Sequence, residues 1–534
     1  MSVKQPRTPG AIDTPEDERT LHHLGYAQEL LRGMTGFQNF AISFTIISIL
    51  AGCLTSYYIA FQWGGPVAVT WGWLIVGGFC IIVSLAMAEI ASAYPTAGGL
   101  YYWASKLGSA GWSWFTGWFN LIGQIAVTSA IGYGLAIFAT SLLDLLFGYT
   151  NTRHSIFVTY TVVLLFAVLI NVFDVRITAA LNVVSAWWHM VGVVVIVLAL
   201  LIVPDSHQSV GYVFGETINN SGFSGNNFGN IMFWYVFGIG LLMSQYTITG
   251  YDASAHLAEE THDASRASAR GIVMSVVVSV ILGFVLLVAL TFAIPETQGA
   301  IDAGGDIVTY IWQTSMGTLW AELLLFIAVV AQMFCLTAST TSASRMMFAF
   351  SRDGAVPGHR MWRRVSKHRV PTNAVIAIGV LSWLLMVPTY WNNLAGYLVG
   401  TSIAVIGLYI AFAIPIYLRW RQGESFECSA WTIGKHYKWI DLVALGWIVV
   451  ICILFMLPIV PAGIPFKAGY DWNVVNYAPA TVIGAFMLFG GWYALSAKKW
   501  FKGPVRMGTA EELGQVEAEQ EAAFLLPADT QYEK

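Results

Sequence analysis

The stretch "QYTITGYDASAHLAEET", residues 245–261, decides how this sequence folds. It continues an apolar run, "NIMFWYVFGIGLLMS", which is typical of a helix that crosses a lipid bilayer. Directly after that run stand Thr247, Thr249, Gly250 and Asp252, which weaken a helix or cost free energy in hydrocarbon. Interrupted backbone is tolerated at membrane depth only where it is buried in protein or lines a cavity. The sequence therefore predicts a spanning helix that is broken for a purpose.

The composition excludes a water-soluble protein. The chain has 534 residues, of which 57% are hydrophobic and only 10% are charged, whereas soluble domains are about 25% charged. Twelve apolar segments are long enough to cross a bilayer. We number them as spans 1 to 12: 37–61, 67–92, 112–143, 156–173, 178–203, 230–258, 271–294, 318–347, 373–389, 391–419, 440–461 and 477–496.

The basic residues predict the orientation of these spans. With the N-terminus in the cytoplasm, 24 of the 26 Lys and Arg residues fall on inner segments, and only Arg153 and Lys467 lie outside. This asymmetry predicts that the N-terminus and the C-terminus both lie in the cytoplasm. The outer loops 204–229 and 295–317 could cover an entrance, but their polar composition favours solvated linkers.

Span 1 carries a second small, polar interruption, at 48–55 around Gly52, and span 6 carries its own at 246–254 around Gly250. Two interrupted spans in corresponding halves of a chain indicate a transporter built from inverted repeats. Glycine kinks at helix contacts are the alternative, although such packing does not require Asp252.

Four segments carry a family resemblance: "GFQNFAISFTIISILAGC" (36–53), "EIASAYPTAGGLYYW" (89–103), "TITGYDASAHLAEET" (247–261) and "SRMMFAFSRDGAVP" (344–357). With them the sequence resembles the amino acid–polyamine–cation permease superfamily, and most of all its amino acid/choline transporter branch. The resemblance implies an all-α membrane protein with the leucine-transporter-like fold. That fold has two inverted five-helix repeats, spans 1–5 and 6–10, with broken helices 1 and 6, and here two extra helices would follow.

This fold divides the chain into three parts. Residues 1–33 form a cytoplasmic N-terminal tail, residues 34–498 form the twelve-helix transporter domain, and residues 499–534 form an acidic cytoplasmic C-terminal tail. We expect the last part to be disordered or to form a short surface helix. A cell (plasma) membrane location is expected.

The substrate site implied by the resemblance lies between the two breaks. A helix half that starts at a break offers free N–H groups to a carboxylate, and the end of the preceding half in span 6 offers carbonyls to an ammonium group. The carboxylate ligands are predicted to be Ala51, Gly52, Cys53 and Leu54, and the ammonium ligands Tyr246, Thr247 and Thr249, next to Gly250. Tyr251 either covers the substrate or packs against a neighbouring helix.

Hydroxyl and amide side chains of spans 3 and 8 are weaker candidates for this site. Gln124 and Ser129, and also Ser339, Thr340 and Thr341, could contact substrate or a sodium ion. Hydroxyl groups that bond their own helix backbone are the common alternative.

Two ionisable residues inside spans are candidates for ion coupling, because such residues are functional by default. Asp252 aligns with an acidic position that some relatives use for proton sensing, with a cap for the exposed amides as its alternative role. His189 lies near a lysine position of proton-coupled relatives and has a suitable unperturbed pKa, but a histidine merely bonded to a neighbour is equally expected.

The inner face holds the predicted gate. Glu89, Arg345 and Asp353 are expected to form gating ion pairs, whereas positive-inside anchoring is favoured for Arg352. A metal site is a remote alternative, because the candidate ligands match no known signature and are expected on a solvated helix end. These ligands are His256, Glu259, Glu260 and His262.

The function predicted from these observations is a secondary active permease for an amino acid or a closely related amine, working by alternating access. GABA and choline are alternative substrates, a proton is the expected coupling ion and sodium is the alternative. The sequence contains no His-Glu-x-x-His motif, nucleophile elbow or Walker loop, so we expect neither an enzyme nor a cofactor. The expected partners are the small-molecule substrate and the bilayer, not nucleic acid; a channel or receptor is the different-class alternative.

Overall fold

A computed structural model describes residues 15–173, 175–366, 369–391, 393–505 and 508–525 of this chain. Within these ranges the backbone is helical, and the β-structure consists of two isolated bridges, Met34–Thr261 and Trp63–Asn219. The predicted all-α fold is therefore confirmed for this part of the chain. The ends of the two predicted tails, 1–14 and 526–534, lie outside the described residues.

Ten of the predicted spans are continuous helices. They cover Pro66–Ala93, Ala110–Phe147, Arg153–Val172, Val175–Ile202, Ala264–Phe292, Thr318–Arg352, Thr372–Met386, Asn393–Gln422, Tyr437–Leu454 and Ala478–Trp492. Span 1 is split into Gly36–Ile47 and Gly52–Gln62, and span 6 into Ile231–Gly240, Leu242–Thr247 and Ala253–His256.

In the described part of the chain, eleven helices are long and apolar enough to cross a membrane, with span 1 counted as one. The apolar helix of span 6, Ile231–Thr247, is shorter because the break follows it. The count of twelve crossing helices and the inverted repeat therefore stay predictions. The chain is nevertheless a multi-pass membrane protein in its composition and architecture.

An apolar outer surface explains how these helices are accommodated. On Arg153–Val172 the side chains of Val158, Val162, Leu165 and Phe166 are all more than half exposed. A soluble protein rarely leaves so large a contiguous patch in water, but a lipid bilayer solvates it. The opposite faces of the helices pack into one large core.

Local sequence sets where several spans begin and end. Thr35 caps the first half of span 1 in a capping box with Gln38. Span 2 starts at Pro66, whose fixed φ suits the first helical position. Span 3 ends at Gly148, whose φ of 69° is the left-handed conformation that terminates helices.

The loops 204–229 and 295–317 combine both expectations, because most residues of 204–229 are exposed while both loops also contact a span. They contain the short helices Val210–Gly215, Thr297–Asp302 and Ile307–Met316, and the last of these buries Trp312 completely. Both loops bond the outer end of span 1, because the Gly64 amide donates to Ile218 O at 2.8 Å and Gln62 Nε2 donates to Ile301 O at 3.0 Å. The loops therefore cover the outer end of the first broken helix.

The C-terminal tail follows the second of its two expected forms. It contains the helix Ala510–Leu525, whose Leu513 is buried. Glu517 on this helix accepts a hydrogen bond from the backbone amide of Gln28 at 2.7 Å and pairs with His22 at 2.8 Å. The two described tail segments thus meet each other at the inner face.

The chain just before span 1 is fastened to the chain just after span 6. The Met34 amide donates to Glu260 O at 2.9 Å, and the His262 amide donates to Met34 O at 2.9 Å. Asn39 Nδ2 adds bonds to Ser254 O at 2.9 Å and to Thr261 Oγ1 at 3.0 Å. The inner ends of the two broken helices are therefore tied together.

Candidate substrate site

The break in span 1 is a tight turn at residues 48–51. Ser48 has a φ of 36°, a left-handed conformation that is uncommon outside glycine. Its carbonyl accepts from the amides of both Ala51 and Gly52 at 2.8 Å, and the second half-helix begins at Gly52. His189 holds the turn in place, because its Nε2 lies 2.7 Å from Ser48 Oγ.

The second half-helix of span 1 offers free amides at its N-terminus. Among the described residues, the amides of Cys53 and Leu54 donate to no backbone carbonyl. Unpaired N–H groups and the positive end of the helix dipole form a seat for an anion. The predicted carboxylate ligands thus lie at a real helix start.

The break in span 6 covers residues 248–252. Gly250 has a φ of 86°, which only glycine adopts at low cost. Span 1 supports this break: Ser43 Oγ donates to Tyr251 O at 2.9 Å and accepts from the Ser254 amide at 3.0 Å. The helix resumes only at Ala253.

The two breaks pack directly into each other through their glycines. A Cβ atom on Gly52 would lie 2.6 Å from Thr247 Oγ1. A Cβ atom on Gly250 would collide with Ile46 of span 1. Each broken helix therefore requires a glycine where the other approaches it.

A cavity of about 20 Å³ lies between the breaks, room for one water-sized molecule. An amino acid is several times larger, so this conformation is closed around the breaks. The lining residues come from spans 1, 3, 6 and 8: Ile46, Ile47, Ala51, Gly52, Thr55, Val127, Ile131, Tyr246, Thr247, Thr249, Gln332 and Cys335.

Five of the predicted binding residues line this cavity: Ala51, Gly52, Tyr246, Thr247 and Thr249. Cys53, Leu54 and Gly250 adjoin them along the chain.

The other predicted binding residues contact protein groups instead, and Ser129 and Thr341 bond carbonyls four residues earlier in their own helices at 2.7 and 2.9 Å. Tyr251 packs against Phe412 with ring centroids 5.4 Å apart, and Gln124 Nε2 donates to Asp252 Oδ2 at 2.8 Å. Ser339 Oγ lies 2.8 Å from Thr128 Oγ1, and Thr340 bonds the carbonyl four residues earlier in its own helix at 2.8 Å.

Sequence reasoning missed several lining residues, of which Gln332 is the most polar. Val127 and Ile131 are apolar residues in apolar helices, so nothing distinguishes them in the sequence. Gln332 interrupts the run "LLLFIAVVAQMFCL" in span 8 and could have been found as an uncharged polar residue deep in a span. Cys335, one turn further, donates to Ile46 O at 3.2 Å.

Asp252 and His256 face each other beneath the break of span 6, and both are fully buried. His256 Nδ1 lies 3.1 Å from the carbonyl of Ala97, and a carbonyl only accepts, so this nitrogen carries a hydrogen. In a neutral ring the bare Nε2 would then face Asp252 Oδ2 at 3.3 Å. No hydrogen bond joins the two atoms in this conformation, and within the described residues neither His256 Nε2 nor Asp252 Oδ1 has a hydrogen-bond partner.

Three buried ion pairs lie on the inner side of the breaks. Arg345 Nε bonds Glu260 Oε1 at 2.8 Å, Arg352 Nη2 bonds Glu259 Oε1 at 2.9 Å, and Arg419 Nε bonds Glu89 Oε2 at 2.9 Å. All six side chains are at least 96% buried. They connect the segment after span 6, span 8, span 2 and the end of span 10.

Two expectations for this region were wrong. Arg352 is not a surface anchor, because its side chain is only 4% exposed and is paired with Glu259. His256, Glu259 and Glu260 do not lie on a solvated helix end, because each is at most 1% exposed and the two carboxylates bind arginines.

Asp353 accepts from the hydroxyls of Tyr26 at 2.9 Å and Tyr101 at 2.5 Å.

Comparison of the sequence with known proteins shows which family the chain belongs to. The family model described as amino acid permease matches residues 35–487, which contain both breaks and the inner ion pairs. This chain belongs to the amino acid permease family. Permeases carry solutes rather than transform them, so the family indicates a transporter with a small-molecule substrate and not an enzyme.

Named relatives agree with this assignment over nearly their whole length. The amino-acid permease BAT1 homolog of Oryza sativa subsp. japonica is 37% identical over 507 residues, covering 91% of this chain and 95% of the relative. Amino-acid permease BAT1 of Arabidopsis thaliana is 36% identical over 505 residues, with the same coverage. The GABA-specific permease of Saccharomyces cerevisiae is 29% identical over 512 residues, covering 92% of this chain and 86% of the relative.

Proposed function

We propose that this permease carries an amino acid or a closely related amine across the cell membrane by alternating access. The observation that carries the proposal is the position of the cavity, which lies between two mutually packed helix breaks and is lined by both. The substrate carboxylate would bind the amides at the start of the second half of span 1. The ammonium group of the substrate would bind the carbonyls of Tyr246, Thr247 and Thr249.

Closure around the cavity fits one step of an alternating cycle. The cavity holds about one water-sized molecule, the outer loops cover the outer end of span 1, and ion pairs close the inner side. Substrate entry therefore requires span 1 and span 6 to separate from spans 3 and 8 on one side at a time. With the cytoplasmic termini that the distribution of Lys and Arg predicts, the ion pairs would form the cytoplasmic gate of a plasma-membrane protein.

A proton is the coupling ion that the buried groups favour. Asp252 and His256 are fully buried ionisable groups directly below the break of span 6, with His256 Nε2 3.3 Å from Asp252 Oδ2. Gln124 and Asn120 of span 3 donate to the same carboxylate oxygen at 2.8 and 3.3 Å. A change in its protonation would alter the contact between spans 3 and 6, and this contact must change when the site opens. Sodium coupling is the outcome that the ion-replacement test below would reveal.

The cavity lining bears on the choice between substrates. A quaternary ammonium group is recognised by a cage of several aromatic rings, and in the described lining Tyr246 is the only aromatic side chain. This disfavours choline. GABA stays a candidate because one relative is named as a GABA-specific permease.

Transport by purified protein in proteoliposomes tests the proposal. We expect saturable uptake of an amino acid that is accelerated by unlabelled substrate inside the vesicles, because counterflow requires a carrier. Uptake should depend on pH and persist when sodium is replaced by potassium. A linear, non-saturable flux without counterflow would contradict the proposal and indicate a channel.

A further inference from the structure

Gln332 of span 8 is a buried carboxamide without a partner. Its side chain is fully buried, and within the described residues neither its Nε2 nor its Oε1 makes a hydrogen bond. Proteins rarely leave a buried amide group in this state, because the group loses its bonds to water and gains none. Its presence therefore needs an explanation.

The position of Gln332 supplies that explanation. It lines the cavity between the two breaks, beside Val127 and Ile131 of span 3. Other buried polar atoms in the described part of the chain also lack partners, for example in Asn182 and Trp312, but none of those residues lines this cavity. The unused bonds of Gln332 are thus available to a molecule in the cavity.

The chemistry of the lining restricts what that molecule can offer. The backbone amides and carbonyls at the breaks suit the charged ends of an amino acid, which leaves Gln332 for its side chain. A carboxamide donates and accepts at once, so its best partner is a group that does both, such as a hydroxyl or another carboxamide. No side chain in the described lining carries a charge that could neutralise an ionised group.

We propose that Gln332 is a specificity residue that binds the neutral polar side chain of the transported amino acid, as in serine, threonine, asparagine or glutamine. This inference rests on the proposed function. It goes beyond it by naming a substrate class: hydroxyl and carboxamide amino acids are preferred over apolar ones of the same shape. Discrimination is expected to be large because an apolar side chain would leave the Gln332 amide unpaired.

The experiment compares isosteric competitors of uptake in proteoliposomes. Threonine and valine have nearly the same shape, as do asparagine and leucine. For the wild-type protein we expect each polar member to inhibit uptake at a concentration at least about tenfold lower than its apolar partner. In Gln332→Met, which preserves length but removes both bonds, the ratio should fall to about one.

Gln245→Met is the matched control. Gln245 is also a buried carboxamide, but it is bonded to Cys80 and Trp447 and lies outside the described lining. This variant should leave the threonine/valine ratio unchanged, even if its thermal stability falls.

The outcomes separate the two proposals. Uptake of valine and threonine with equal affinity by the wild-type protein would overturn the role of Gln332 and leave the permease function standing. An unchanged preference in Gln332→Met would do the same. If the protein transports no amino acid at all, both proposals fail. If Gln332→Met does not fold, Gln332→Leu gives the same comparison, and a missing preference in the wild-type protein overturns the proposal without any variant.

Discussion

The cavity between the breaks and the three ion pairs on its inner side differ in whether their buried polar groups have hydrogen-bond partners. We call these three ion pairs the inner layer. Around the cavity, the Gln332 side chain has no hydrogen-bond partner, and the amides of Cys53 and Leu54 donate to no backbone carbonyl in the described structure. A few turns closer to the inner face, the carboxylates of Glu89, Glu259 and Glu260 are each paired with an arginine. Both regions are equally shielded from solvent, so burial does not explain the difference.

The proposed function explains this difference through what each region would bind. A surface that receives a solute keeps its hydrogen bonds open, because bonds already made inside the protein would compete with the solute. A surface that closes against another part of the same chain satisfies its own charges, since one unpaired buried charge is strongly destabilising. The state of the buried polar groups thus separates a binding surface from a closing surface.

The largest expected effect comes from breaking one inner pair. Arg345→Met leaves Glu260 buried and uncompensated, which should cost about 3–5 kcal/mol in the free energy of unfolding. Thermal unfolding in detergent measures this loss. Adding Glu260→Gln removes the unpaired buried charge and should recover most of the stability. No recovery would mean that the loss in Arg345→Met does not come from the uncompensated charge of Glu260.

The next effect tests how closely the two breaks pack. Gly52→Ala places a methyl group against Thr247, and overpacking of this kind typically costs about 1–3 kcal/mol. We expect reduced uptake and a lower melting temperature. Gly78→Ala on span 2 is the control, because nothing lies within 4 Å of its added carbon. Equal behaviour of the two variants would show that the breaks do not touch.

A smaller effect concerns the proton below the break. Asp252→Asn keeps an oxygen for Gln124 but removes the charge, and a bond to a charged group contributes about 1.5–3 kcal/mol. We expect uptake to fall about tenfold and to lose most of its pH dependence. His189→Ala should also reduce uptake, through the loss of its support for Ser48. Wild-type uptake with a wild-type pH profile in both variants would exclude these residues from coupling.

The smallest effect lies at the exposed rim of the inner layer, where charges are solvated. Glu512 accepts from the Thr509 amide and hydroxyl at 2.7 and 3.1 Å, and these bonds lower its pKa. A lowered pKa in the folded state means that this stabilisation is present above the usual pKa of glutamate and is lost as pH falls through the lowered value. The protection of the amides of Ala510–Leu525, corrected for the intrinsic exchange rate at each pH, should therefore fall in acid, and Glu512→Gln should abolish that response.

The breaks themselves could be predicted from the sequence, because glycine, threonine and an acid in an apolar run are local features. The interruptions expected at 48–55 and 246–254 contain the observed turns at 48–51 and 248–252. The pairing of Arg352 with Glu259 could not be predicted, since it joins residues that lie 93 positions apart. The same holds for Asp252 and Gln124, whose contact depends on how spans 3 and 6 pack.

The tie between Met34 and the segment after span 6 has a mechanical consequence. Backbone hydrogen bonds join the inner ends of both broken helices there, so the two ends are expected to move as one unit. The inner side is therefore not expected to open by separation of span 1 from span 6. In the proposed cycle the two inner ends would move together away from span 8, which requires the Arg345–Glu260 contact to break. A disulfide engineered between positions 34 and 261 would leave that movement free, whereas one between positions 260 and 345 would lock it.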